Sequence, residues 1–189
     1  LSSSLQLGSL EENKVEITPS DSFKPRIAAT GVTINDTVYL IGGRRIPGVG
    51  IDEFWKLQRV SGNGPLNWIQ LPNLTSGRVK HTTIAFEKGI LLFGGVKAED
   101  TFEYYSIETE EWIRLTSNLN FTLESSNLVE VDGVIYLYGG MKHGEGIDQF
   151  EFNDTLFKLE IDLQIKHISC SPILVNESLA RYGSQASSL

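Results

Sequence analysis

Three histidines, one cysteine and a scatter of carboxylates are the side chains here best suited to metal, nucleophilic or acid–base chemistry. Their spacing argues against all three. His81, His143 and His167 show no i, i+4 pair of the kind that puts two imidazoles on one helix face. Cys170 is alone, so neither an internal disulfide nor a thiolate cluster can form. Glu11–Glu12 and Glu108, Glu110 and Glu111 are paired carboxylates, and acid–base work needs one of a pair desolvated. Glu108–Thr109–Glu110–Glu111 instead reads as a solvated turn ahead of Trp112. Gly-x-Gly occurs at Gly48–Gly50, Gly62–Gly64 and Gly144–Gly146, without the strand before and helix after that a phosphate loop requires. These are turns. No catalytic, cofactor-binding or metal-ligating residue is expected.

What remains is cationic. Arg44, Arg45, Lys97, Lys142 and His143 follow short apolar runs and fall in loops, where they are candidates to contact RNA or a protein partner. Arg26, Arg78 and Arg181 stand near the starts of units and are expected to pair with carboxylates or backbone carbonyls.

The elements that position these residues repeat. Thr37–Ile41, Gly89–Phe93 and Val134–Tyr138 are apolar runs, each ending in a glycine pair: Gly42–Gly43, Gly94–Gly95 and Gly139–Gly140. The pairs recur 52 and 45 residues apart, a period typical of repeat architectures. Before each run lies another β-rich stretch (Ile27–Ile34, Val79–Phe86, Ser126–Val131), joined by a short Asn/Asp/Gly or Glu-Lys-Gly turn. After each pair comes a loop and a third strand: Glu53–Leu57, Phe102–Ile107 and Thr155–Leu159. A fourth strand opens on tryptophan at Trp68 and Trp112, with Lys166–Ser169 in the third copy. No stretch carries a 3.6-residue apolar period, so almost no helix is expected.

Four up-and-down strands, a glycine pair and a downstream tryptophan resemble the kelch family of β-propellers. The expected fold is all-β: a partial kelch β-propeller of about three complete four-stranded antiparallel blades, approximately residues 26–72, 78–116 and 123–170. Lys14–Thr18 reads as the last strand of an earlier blade and Arg181 as the start of a later one, giving partial blades at 1–20 and 179–189. The expected portion of a longer protein is therefore non-catalytic architecture. Gly42, Gly43, Gly94, Gly95, Gly139, Gly140, Trp68 and Trp112 are assigned structural roles.

Three details are less generic: Gly42–Gly43–Arg44 followed by Asp52–Glu53–Phe54–Trp55; Gly77–Arg78–Val79–Lys80–His81 before Gly94–Gly95–Val96; and Arg181–Tyr182–Gly183–Ser184–Gln185. Together they resemble the C-terminal kelch region of the leucine carboxyl methyltransferase-like family that completes wybutosine synthesis on phenylalanine tRNA. Between Gly95 and Arg181 only general kelch features recur. The resemblance implies an S-adenosylmethionine-dependent parent that methylates and methoxycarbonylates a modified guanosine. This segment would carry no cofactor and would position phenylalanine tRNA or the methyltransferase domain of the same chain. A protein–protein interaction adaptor is the alternative.

Composition bounds these readings. A net charge of -8 argues against free-standing nucleic-acid binding while leaving room for a local basic patch. No apolar run approaches membrane-spanning length, and no basic leader segment is visible, so a cytoplasmic, reducing setting is expected. Asn-X-Ser/Thr triplets at Asn35, Asn73, Asn120, Asn153 and Asn176 would be glycosylation acceptors in a secreted protein. Turn propensity accounts for them more simply.

Overall fold

β-Branched and aromatic runs punctuated by tight-turn residues give a computed structural model built entirely of strands among the described residues, 17–18, 22–59, 61–62, 64–96, 102–143 and 150–174. After β1 (Ile17–Thr18), the first blade comprises β2 (Thr30–Ile34), β3 (Thr37–Ile41), β4 (Phe54–Arg59) and β5 (Leu66–Leu71). The second comprises β6 (Thr82–Phe86), β7 (Gly89–Phe93), β8 (Phe102–Ser106) and β9 (Glu111–Ser117). The third begins with β10 (Asn127–Val131) and β11 (Val134–Tyr138). Its second-to-third connection contains a hairpin, β12 (Met141–His143) with β13 (Phe150–Phe152), and it ends with β14 (Leu156–Asp162) and β15 (His167–Ile173). Each blade is antiparallel throughout, and the fold is a partial β-propeller.

The first strand of each blade starts later than the apolar pattern suggests. Ala28, Lys80 and Ser125 hold φ of 54°, 60° and 55°, a kink that interrupts the ladder, beyond which Ile27 and Glu124 still bridge Arg44 and Met141. The three are equivalent, each lying 15 positions before the second glycine of its pair. Their backbones link the blades in series: Lys80 N donates to Ala28 O at 3.2 Å and Ser125 N to Lys80 O at 2.8 Å. Beside this chain of bonds, Gly43 N donates to Arg78 O at 2.8 Å and Gly95 N to Leu123 O at 2.9 Å. The glycines are needed here because a Cβ on Gly42 would sit 2.7 Å from the Arg78 carbonyl oxygen, and one on Gly94 would run into that of Leu123.

Side chains fill the space between blades. Tyr39, Ile41, Phe54 and Leu71 of the first blade pack against Ile90, Leu92, Tyr105 and Trp112 of the second. Leu91, Phe93, Phe102 and Leu115 of the second pack against Leu128, Leu137, Leu159 and Cys170 of the third. Phe54, Phe93 and Phe102 are wholly buried, each contributing about 2–3 kcal/mol by removal of apolar surface from water. Trp112 lies edge-on to Phe54 and donates its indole N–H to Pro72 O at 3.1 Å, tying the second blade to the exit of the first. Trp68 occupies the same register position one blade earlier and stacks on Phe23 with ring centroids 4.1 Å apart. In the third blade the strand register puts Cys170 in that position, correcting the assignment of Lys166–Ser169.

The outer rims differ. β15 pairs in parallel with the end of β9 through His167–Thr116 and Ile168–Ser117, merging the second and third blades into one eight-stranded sheet. Asn118 extends this seam, its Oδ1 accepting from Cys170 N at 2.7 Å and its Nδ2 donating to Cys170 O at 3.0 Å. β1 pairs in parallel with the start of β5, the position an earlier blade's outer strand would take.

Candidate functional site

Up-and-down connectivity sends the second-to-third loops and the blade-to-blade connections to one end of the sheets, the loop face. The tight hairpin turns emerge at the opposite end. There, Asn35, Glu87 and Asp132 hold φ of 51°, 48° and 51°, the left-handed conformation a short hairpin requires. Exposed Asp36, Glu87, Asp132, Glu108, Glu110 and Asp162 outnumber exposed Arg59, Lys88 and Lys166 here, leaving this end acidic. An acidic end is poorly suited to phosphate, so the loop face is the candidate site.

Its basic residues are largely neutralised. Arg26 and Arg45 converge on Glu53, at 2.7 Å to Oε2 and 2.5 Å to Oε1, and Trp55 Nε1 donates to Oε2 at 2.9 Å. Burial alone would raise the Glu53 carboxyl. The three hydrogen bonds, with the charge of Arg26, outweigh burial and hold it below the ordinary carboxylate range. Lys142 pairs with Glu151 at 2.6 Å across the β12–β13 hairpin and lies 5.7 Å from the centre of the Phe121 ring. Arg44 lies beside Arg45 with a buried Nε and has no carboxylate partner among the described residues. Lys97 and Arg181 lie outside the described residues, and of His143 only the backbone is described. Arg45, Lys97 and Lys142 are nevertheless equivalent in sequence, each two positions after a glycine pair. In the two described cases the returning limb of the loop supplies the carboxylate.

The loop face also carries apolar surface that composition does not reveal. Ile27, Ile46 and Phe152 are 62%, 61% and 57% exposed, and Val49 and Phe150 about half. The last two strands of this surface, β12 and β13, are absent from the repeat pattern. Their only sequence signal is Phe150-x-Phe152, isolated between a glycine-rich stretch and Asn153.

Arg26 and Arg78 are structural, as their spacing suggests. Arg78 is fully buried, ion-paired with Glu103, and donates to Gly94 O at 2.9 Å. Arg26 reaches the equivalent Gly42 O at 3.5 Å. The third blade has Leu123 where the arginine would stand, and its Gly139 O receives Asn153 Nδ2 at 3.2 Å instead. Asn153 is therefore a buried cap rather than an accessible glycosylation acceptor, whereas Asn35, Asn73 and Asn120 are exposed and Asn176 lies outside the described residues.

Two reactive side chains, His81 and Cys170, are buried and shifted away from neutrality. His81 is buried between the first two blades, hydrogen-bonded through Nε2 to the Thr30 hydroxyl at 2.8 Å. Burial, then the charge of Arg78, lowers its pKa to about 3. Burial pushes the Cys170 thiol up to about 12. Among the described residues no group of His, Cys, Asp and Glu side chains could hold a metal ion, and no helix is long and apolar enough to cross a membrane.

Comparison with known proteins places this geometry. The family described as tRNA wybutosine-synthesizing protein 4, beta-propeller, matches residues 24–189. The chain is 26% identical over 194 residues to tRNA wybutosine-synthesizing protein 4 of Saccharomyces cerevisiae, covering 96% of this chain. It is 25% identical over 166 residues to the protein of that name from Eremothecium gossypii, covering 85% of this chain. It spans 26% and 23% of the length of these relatives. The solved structure of YjhT superposes with a TM-score of 0.62 at 18% identity, covering 82% of this chain and 54% of that one, a likeness of fold.

Proposed function

The chain belongs to the β-propeller family of tRNA wybutosine-synthesizing protein 4, and from that premise we propose that it is the non-catalytic propeller segment of an S-adenosylmethionine-dependent transferase acting in wybutosine synthesis on phenylalanine tRNA. Its loop face docks the transferase part of the same polypeptide and so holds that part against the tRNA. The observation that carries the docking role is a face on which Arg26, Arg45 and Lys142 are tied to carboxylates while Ile27, Ile46, Val49, Phe150 and Phe152 are exposed. Phosphate recognition wants free cations, whereas an apolar, charge-balanced face suits protein contact.

S-adenosylmethionine belongs to the transferase part of this reading. The glycine pairs here do not fit the cofactor, because Gly42 and Gly94 lie against the backbone of the next blade while Gly43, Gly95 and Gly140 lie against the residues entering the first strand of their own. Nor does buried His81 or Cys170 supply a group tuned near neutral pH.

The test is Ile46→Asp with Phe152→Asp in the full-length enzyme. Modification of tRNA is expected to fall at least tenfold, and hydrogen exchange on the loop face to quicken, with tRNA affinity changed less than twofold. Unaltered modification and exchange would refute the docking role. Direct tRNA contact is the second reading, favoured among the described residues by Arg44. For it, Arg44→Glu with Arg45→Glu lowers tRNA affinity and makes its salt dependence shallower.

A further inference from the structure

Each junction between described blades joins two unlike faces: the following face of one blade and the leading face of the next. At the first junction Tyr39, Ile41 and Phe54 meet Ile90, Leu92 and Tyr105. At the second, Leu91, Phe93 and Phe102 meet Ile135, Leu137 and Leu159. All twelve are 0–6% exposed. The strand registers mark the counterparts on the two end blades. Val38, Leu40 and Leu57 stand where Ile90, Leu92 and Tyr105 stand, on the leading face of the first blade. Val38 is 38% exposed and the other two are half-buried. Tyr136, Tyr138 and Leu156 stand where Tyr39, Ile41 and Phe54 stand, on the following face of the third. With Val129, Ile173 and the 52% exposed Val131 they line a shallow groove of about 480 Å³.

A body that covers either face must present the other kind, and a second copy of the chain presents both. A four-stranded blade face is about 19 Å wide and about 20 Å long, a flat footprint of about 380 Å². One such contact is small for a stable pair. Two contacts, one through each face, approach the about 800 Å² per partner of a standard interface. Number agrees with area. Three described blades fall short of the four or more at which propellers close, whereas two copies bring six. The chain matches 54% of the YjhT chain, so two copies supply about the whole length of a fold of this kind. Charge agrees as well: near the hairpin end, the leading face carries exposed Arg59 and the following face Glu160, 66% exposed beside Lys158.

We propose that two copies of the 189-residue chain associate head to tail, the leading face of each seated on the following face of the other. Val38, Leu40 and Leu57 of one copy then enter the groove of Tyr136, Tyr138 and Leu156 in its partner. A two-fold axis makes the two contacts equivalent, so the pair closes as a ring and leaves neither face to recruit a third copy. The pairing does not depend on the function proposed above.

Sedimentation of the 189-residue chain across a dilution series tests it. The expected mass at micromolar concentration is twice the 21.0 kDa of one chain. Val38→Lys and Val131→Glu, each at an exposed position, are expected to weaken association at least tenfold when measured alone. An equimolar mixture of the two is expected to recover most of it. The mixed ring keeps one native contact and sets the new lysine against the new glutamate in the other. A single-chain mass at every concentration overturns the proposal, as do species larger than two copies. Association lost in only one of the variants, or a mixture that recovers nothing, also overturns it, in favour of pairing between like faces. Should a variant fail to fold by circular dichroism, the mass of the native chain still decides between one copy and two.

Discussion

Replacing Arg78 by leucine isolates what a buried cation does in this fold. The side chain is wholly inaccessible, its guanidinium pairs with the equally buried Glu103, and Nη1 donates to the Gly94 carbonyl. Leucine fills part of the volume and leaves a carboxylate without its cation in the protein interior. Breaking one side of a buried pair costs about 3–5 kcal/mol. The orphaned Gly94 carbonyl adds about 1 kcal/mol, giving a loss of about 4–6 kcal/mol against a total stability of about 5–15 kcal/mol. At about 3 °C per kcal/mol for a chain of this size, Tm falls by about 12–18 °C. Urea unfolding of Arg78→Leu, Glu103→Leu and the double variant closes a mutant cycle. The double variant is expected to be more stable than Arg78→Leu, because an apolar pair can replace a buried ion pair at little net cost. A loss below about 1 kcal/mol for Arg78→Leu, or a double variant as damaged as the sum of the singles, would show that the pair does not hold the blade through its charge.

Three further outcomes follow from the geometry. His81 is lowered to about 3 in the fold against about 6.5 when unfolded, so the unfolded chain binds the extra proton between those values. Stability is therefore full above about pH 6.5 and falls by up to about 1.4 kcal/mol per unit as pH drops towards 3; His81→Gln should flatten urea midpoints measured across that window by one proton. Gly133→Ala, with φ of 76° and open space around it, should cost about 1 kcal/mol, whereas Gly94→Ala, aimed at the Leu123 carbonyl, should cost more than about 2 kcal/mol; equal losses by chemical denaturation would remove the argument from close approach. Cys170, 3% exposed and raised to about 12, should resist a thiol reagent in the folded chain and react fully in urea, and rapid labelling of the native protein would contradict the packing of the second seam.

The blades were legible because β-rich pairing and glycine pairs are local signals. Thr37–Ile41 and Val134–Tyr138 run as strands over the residues the apolar pattern marks. The starts of β2, β6 and β10 were not legible, since Ala28, Lys80 and Ser125 take positive φ without being glycine, and only inter-blade bonds enforce it. The Cys170 position was hidden for a similar reason: equivalence with Trp68 and Trp112 is set by register across β14, not by residue type. At the loop face, the types and places of Arg45 and Lys142 could be read from the chain. That each finds a carboxylate on the returning limb could not, because Glu53 and Glu151 lie eight and nine positions away across loops of different length. Asn153 had a faint signal in the missing arginine before Gly139–Gly140, which leaves a carbonyl in need of another donor.

The unequal outer rims give the molecule a grain. Between the second and third blades the rim is a backbone zipper, β9 against β15 with Asn118 sealing its end. Between the first and second, the rim bond is the indole of Trp112 reaching Pro72. Side-chain bonds of that kind yield at lower load than a paired backbone, so under torsion or pulling the first seam gapes at its outer edge and pivots on the inner bonds at Gly43 and Lys80. The second and third blades would then move as one stiff plate, with the first swinging against it like a leaf on a hinge.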